Sequence, residues 1–155
     1  MITKIKIGVL VENKGKLLLI KELNDHNGKY YWNIIKGTFE PEKDRNFLET
    51  AKRECKEEAG VSVKIKYLQS IMYVHKKNTL QFNFGASIKQ EGIPKVSKLS
   101  DQKKRDENII EARFFNKNET KRMKEKDFMN KRAFLATKNW VRSKRHDLGV
   151  LNFFD

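Results

Sequence analysis

The segment KIKIGVLVENKGKLLLIKEL, residues 4–23, constrains the fold more than any other. Residues 4–11 alternate and then become continuously apolar, and LLLIKEL at 17–23 follows a polar ENKGK stretch whose glycine suits a tight turn. Two strand-length runs so joined predict a β-hairpin. Further strands are expected at YYWNII (30–35), VSVKIKYLQSIMYV (61–74), TLQFNFGASI (79–88) and NIIEARFF (108–115), where β-branched and aromatic residues concentrate. The stretch 89–106 is polar, contains Gly92 and Pro94, and reads as a mobile loop. Residues from about 117 to 148 read as two helices, the second burying Phe134, Ala136 or Thr137, Trp140 and Val141. Mixed strands with a central helix and terminal helices predict an α/β or α+β layered domain, one domain over residues 1–155.

The central helix is expected over about 47–59. Asn46 followed by Glu49 resembles an N-cap with its capping-box partner, and Gly60 suits the C-terminal stop. Phe47, Leu48, Ala51, Cys55 and Ala59 form an apolar stripe at helical spacing. The opposite side carries RECKEEAG, residues 53–60, which sets Glu54, Glu57 and Glu58 on neighbouring parts of one surface. This happens in a chain with 34 Lys+Arg against 20 Asp+Glu. A hard divalent cation, Mg²⁺ or Mn²⁺, would offset the repulsion among three such carboxylates. Ordinary Glu49–Arg53 and Arg53–Glu57 pairs on a solvated face, worth about 0.2–0.5 kcal/mol each, explain the same spacing.

The order of residues goes further than the spacing. AKRECKEEAGV, residues 51–61, resembles the second half of the Nudix box of the MutT-like hydrolases: Arg53, Glu54, Cys55, Glu57, Glu58, Gly60 and Val61 all fall on its positions. Upstream, YWNIIKG keeps the Trp32 and Gly37 of the family's Trp-x-x-Pro-Gly-Gly turn, with Ile35 and Lys36 replacing Pro and the first Gly. The likeness covers roughly residues 4–115. It implies a Nudix-type α/β/α sandwich with a mixed sheet. It also implies a metal-dependent pyrophosphohydrolase that splits a nucleoside diphosphate linked to another moiety, a nucleotide or dinucleoside polyphosphate type of substrate.

Carried over by resemblance, Glu54 and Glu58 are the principal Mg²⁺ or Mn²⁺ ligands, and Glu57 is a further ligand or a partner of Arg53, which orients the carboxylates. The main-chain carbonyl of Gly37 is a possible additional ligand. Glu107 best fits the family position of a catalytic or metal-site acid, ahead of Asp106 and Glu111, while Lys36 and Arg105 are candidate substrate-phosphate contacts. The first half of the box departs from the family. The interval from Gly37 to Arg53 is two residues too long, and Arg45 stands where a Glu is usual. Glu40, Glu42 or Asp44 is left to supply that acid.

The formal charge of +14 favours phosphate-bearing partners, although Lys-rich solvation explains it equally. It motivates an alternative reading, a catalytically weak Nudix-fold module that binds a nucleotide or RNA. The Lys138, Arg142, Lys144, Arg145 and His146 cluster around Trp140 is the candidate RNA contact. The carboxylate cluster favours the enzyme, since a pure phosphate binder has little use for it. No apolar run is long enough to span a membrane, no signal peptide is recognisable, and the single Cys55 suits a reducing cytosol, so a cytoplasmic enzyme is expected. Cys55, Trp32 and Phe47 read as packing residues and His75 as a surface residue.

Overall fold

The structure, a computed structural model, describes residues 1–89 and 92–154. Seven strands form one mixed sheet: β1 (Lys4–Asn13), β2 (Lys16–Asn24), β3 (Lys29–Asn33), β4 (Ile35–Thr38), β5 (Val63–Val74), β6 (Thr79–Ile88) and β7 (Ile109–Phe115). The main order is β3-β2-β1-β6-β5, with β4 also on β1 and β7 also on β2. Helix α1 (Phe47–Ala59) packs on one face. Helix α4 (Lys131–Val141) packs on the other, next to the short α3 (Lys117–Arg122). The expected α/β/α sandwich is therefore present.

The continuous apolar runs are explained by burial on both faces. In β1, Ile7, Val9 and Val11 face α1 while Leu10 faces α4; in β2, Leu18 and Ile20 face α1 while Leu17 and Leu19 face α4. The hairpin over 4–23 forms only at its tip, where Lys14 and Gly15 take positive φ of 49° and 73°. Beyond Glu12↔Leu17 the strands diverge, and β1 pairs in parallel with β6 over Lys4–Glu12 instead. The expected strand at 30–35 is broken at Ile34, which is buried against α4. The chain then crosses from β2 to β1 as β4 and carries Gly37 beneath α1.

The loop expected over 89–106 contains a helix, α2 (Leu99–Lys104), and is stitched to neighbouring elements; its residues 90 and 91 lie outside the described ones. The Lys95 amide donates to the Ala59 carbonyl at 2.8 Å, and Ser97 Oγ donates to the Glu57 carbonyl at 2.6 Å. Buried Gln102 donates to the Ser97 and Ile109 carbonyls and accepts from the Ile109 amide. No helix of the described residues is long and apolar enough to cross a membrane.

Candidate active site

Local chemistry delivers the acids of α1 to the sheet. Asn46 caps the helix by accepting from the Leu48 and Glu49 amides at 3.0 and 3.1 Å. The Glu49 carboxylate reaches back to the Arg45 amide at 2.8 Å rather than to Asn46, so the reciprocal half of the expected capping box is shifted by one residue. Gly60 ends the helix at φ 65°. The apolar stripe of Ala51, Cys55 and Ala59 is fully buried, which leaves the Arg53–Glu58 side facing the Gly37 strand. A Cβ at Gly37 would overlap the Glu54 carboxylate, so only glycine lets the strand come this close.

Arg53 organises the group. Its Nε and Nη2 bind the Asp44 carboxylate at 3.0 and 2.7 Å, Nη1 binds Glu54 Oε1 at 2.7 Å and Glu57 Oε2 at 3.3 Å, and Nη2 also reaches the Thr38 carbonyl. Of the three acids left open by the sequence, Asp44 is the one on Arg53. It is buried and further held by Thr50 Oγ1 at 3.0 Å. Burial alone would raise the Asp44 pKa, but the hydrogen bonds from Arg53 and Thr50 outweigh it and hold the carboxyl below its ordinary value. The Asp44 hydrogen bond, in turn, keeps Arg53 firmly protonated.

The α2 segment brings in the last acid. With Gln102 pinning both ends of the turn, Glu107 comes to lie over α1, where oxygens of Glu54, Glu57 and Glu107 fall within 4.8 Å of one another. Arg105 Nε donates to Glu107 Oε1 at 3.1 Å, and Arg105 Nη2 to the Glu57 carbonyl at 3.2 Å. Glu107 Oε2 lies 3.1 Å from Arg105 Nη2 but accepts no aligned hydrogen bond. Glu58 is outside this triplet. It is buried beside Glu54, accepts the Lys36 amide at 3.1 Å and lies near Glu22, which pairs with Lys36 Nζ at 3.5 Å. Burial raises the pKa of Glu54, and of Glu58 strongly, against the pull of Arg53 and Lys36 respectively.

All eight residues named from the sequence (Lys36, Gly37, Arg53, Glu54, Glu57, Glu58, Arg105 and Glu107) line one cleft of about 670 Å³. Among the lining residues that sequence reasoning did not name are Glu22, Lys6 and Arg132, each in an element that reads as plain scaffold. Lys6 is driven down to about 8 by burial first and by Lys36 and Lys4 next. Its polar side chain at the start of an otherwise apolar strand was the available signal.

A family model described as NUDIX domain matches residues 3–137 of the chain. Comparison with curated proteins gave no match. Among solved structures, a NUDIX hydrolase from Nitrosomonas europaea superposes with a TM-score of 0.75 at 19% identity, covering 97% of each chain. An ADP-ribose pyrophosphatase from Streptococcus suis gives 0.61 at 16% identity over 92% of each chain. A protein described as an ADP compounds hydrolase gives 0.67 at 16% identity over 91% of this chain and 74% of its own.

Proposed function

Because the chain belongs to the NUDIX domain family, we propose that it is a divalent-metal-dependent hydrolase of a phosphoanhydride bond in a nucleoside diphosphate linked to another moiety. The observation that carries this reading is the convergence of Glu54, Glu57 and Glu107 oxygens within 4.8 Å, in a cleft that also holds Lys36 and Arg105. The ADP-ribose pyrophosphatase and the ADP compounds hydrolase among the structural relatives support a phosphate-bearing nucleotide substrate. We read residues 1–155 as one such domain, since both apolar clusters share one sheet, and place it in the cytoplasm, which suits its single, buried, free Cys55.

An oxygen-only donor set fits Mg²⁺ or Mn²⁺. Such an ion, when bound, stabilises charge on phosphate oxygens and acidifies a bound water. Glu54 and Glu57 would hold it, with Glu107 completing the triplet and with Glu58, buried beside Glu54, and the main-chain carbonyl of Gly37 as further donors. Arg53 fixes the rotamers of Glu54 and Glu57 and is itself held by Asp44. Lys36 and Arg105 are placed to meet substrate phosphates. Glu107, held by Arg105 beside Glu54 and Glu57, is assigned a catalytic or metal-site role.

The test is turnover of a panel of nucleoside diphosphate derivatives with Mg²⁺ or Mn²⁺. Wild type should hydrolyse at least one of them, and Glu107→Gln should lower kcat by about 10²-fold. Wild-type rates no better than those of Glu58→Gln and Glu54→Gln across the panel would overturn the reading.

A further inference from the structure

The cleft has a second wall, across the sheet from α1. Phe82 and Phe84 of β6 face α1, so the alternate residues Gln81 and Asn83 face α4. There Arg132, half-buried in the first turn of α4, donates from Nη1 to Gln81 Oε1 at 2.9 Å and lines the cleft. No carboxylate of the described residues pairs with it, and burial depresses its pKa. A relay of buried amides holds this arrangement. Gln81 Nε2 donates to Asn83 Oδ1 at 2.8 Å, Asn83 Nδ2 to Ser70 Oγ at 3.2 Å, Ser70 Oγ to Gln69 Oε1 at 3.1 Å, and Gln69 Nε2 to the Ala136 carbonyl of α4 at 3.0 Å. Gly8 is part of the same device, since a Cβ there would overlap Asn83 Oδ1.

A desolvated cation on a neutral acceptor is costly, and an anion in the cleft would relieve that cost. Lys6 adds a second cation to the same cleft. It is the register partner of Gln81, and its charge is felt by Lys36 and, with the opposite sign, by Glu54 and Glu58, with none of which it forms an ion pair. The lining contains no Phe, Tyr or Trp among the described residues; His26 is its one ring. This wall therefore offers guanidinium and ammonium groups rather than an aromatic platform for a base.

We propose that Arg132 and Lys6 bind a phosphate beyond the scissile anhydride, so that the preferred substrates are nucleotides bridged or extended by three or more consecutive phosphates. The bond that breaks is taken from the hydrolase reading; the anion site is testable without it.

Initial rates with Mg²⁺ should compare diadenosine tetraphosphate with ADP-ribose, which has two phosphates. Wild type is expected to favour the tetraphosphate in kcat/KM by at least about tenfold, and Arg132→Gln or Lys6→Gln to bring the ratio toward one, with Arg132→Lys retaining part of it. A wild-type preference for ADP-ribose, or a ratio that neither Gln variant changes, overturns the proposal. Calorimetric titration with inorganic tripolyphosphate, free of metal, reads the site independently of turnover. Binding weakened about tenfold or more in Arg132→Gln supports the site, and binding absent from wild type or equal in both proteins overturns it. If no nucleotide turns over while tripolyphosphate binding still depends on Arg132, the hydrolase reading fails and the anion site stands.

Discussion

Gly37 and Glu54 occupy one place in space between them, because the first Cβ on residue 37 would overlap the carboxylate of residue 54. Gly37→Ala is therefore expected to displace Glu54, lowering Mn²⁺ affinity by about 10-fold or more while the circular dichroism spectrum stays that of a folded chain. Asp44 acts at one remove. Asp44→Asn leaves the Arg53 guanidinium short of its strongest partner and should cost about 3 kcal/mol in urea unfolding, the lower end for a broken buried pair because Glu54 and Glu57 still hold Arg53. Glu58 works in the opposite sense. Its folded pKa lies well above the ordinary 4.5 because of burial. From 4.5 up to that higher value the folded state holds more protons than the unfolded one, so stability of the metal-free protein falls as pH rises through that window. Glu58→Gln should flatten this slope and raise the neutral-pH Tm, as a calorimetric pH series would show. At this scale the sequence was informative where residues keep a strict order, as in Arg53–Gly60. It left the Arg53 partner open among Glu40, Glu42 and Asp44, because which of three nearby acids turns inward is decided by the fold of a loop and not by spacing.

Helix α1 was readable to the residue because its signals are local: a capping Asn46, an apolar stripe and a left-handed Gly60. Asn46→Ala should cost about 1 kcal/mol, lowering Tm by roughly 2–4 °C in a chain of this size. A larger fall, beyond about 8 °C, would mean that the cap also positions the Asp44 turn. Helix α2 gave no such warning. It has six residues, no side-chain cap at Lys98, and a single buried residue, Gln102, whose hydrogen bonds reach forward to a strand not yet formed in the sequence. The same blindness hid the break at Ile34, where burial on the second face outweighs strand continuity. It also made the basic C-terminal cluster look like one surface. In fact Lys138 Nζ donates to the Thr120, Lys121 and Met123 carbonyls and ties α4 to the end of α3, while Trp140 is buried with its indole on Glu12 at 2.8 Å.

Over the whole molecule the charge is distributed in a way that separates capture from chemistry. The chain carries a formal charge of +14, yet the cleft lining holds as many acidic as basic side chains. The long-range field that a polyanionic substrate meets is therefore positive and set by the surface, while the near field inside the cleft is locally paired through Arg53, Arg105 and Lys36. Salt acts on the first far more than on the second, because exposed charges are screened within about 8–10 Å at physiological ionic strength and partly buried pairs much less. Raising KCl from about 50 to 500 mM should lower kcat/KM for a nucleotide substrate by roughly tenfold through slower encounter. The same change should leave kcat within about twofold, since the bound substrate faces groups that salt does not reach. Stopped-flow association and steady-state rates measured across that range would separate the two effects. A kcat/KM indifferent to salt would mean that the surface lysines serve solvation alone and that capture is governed within the cleft.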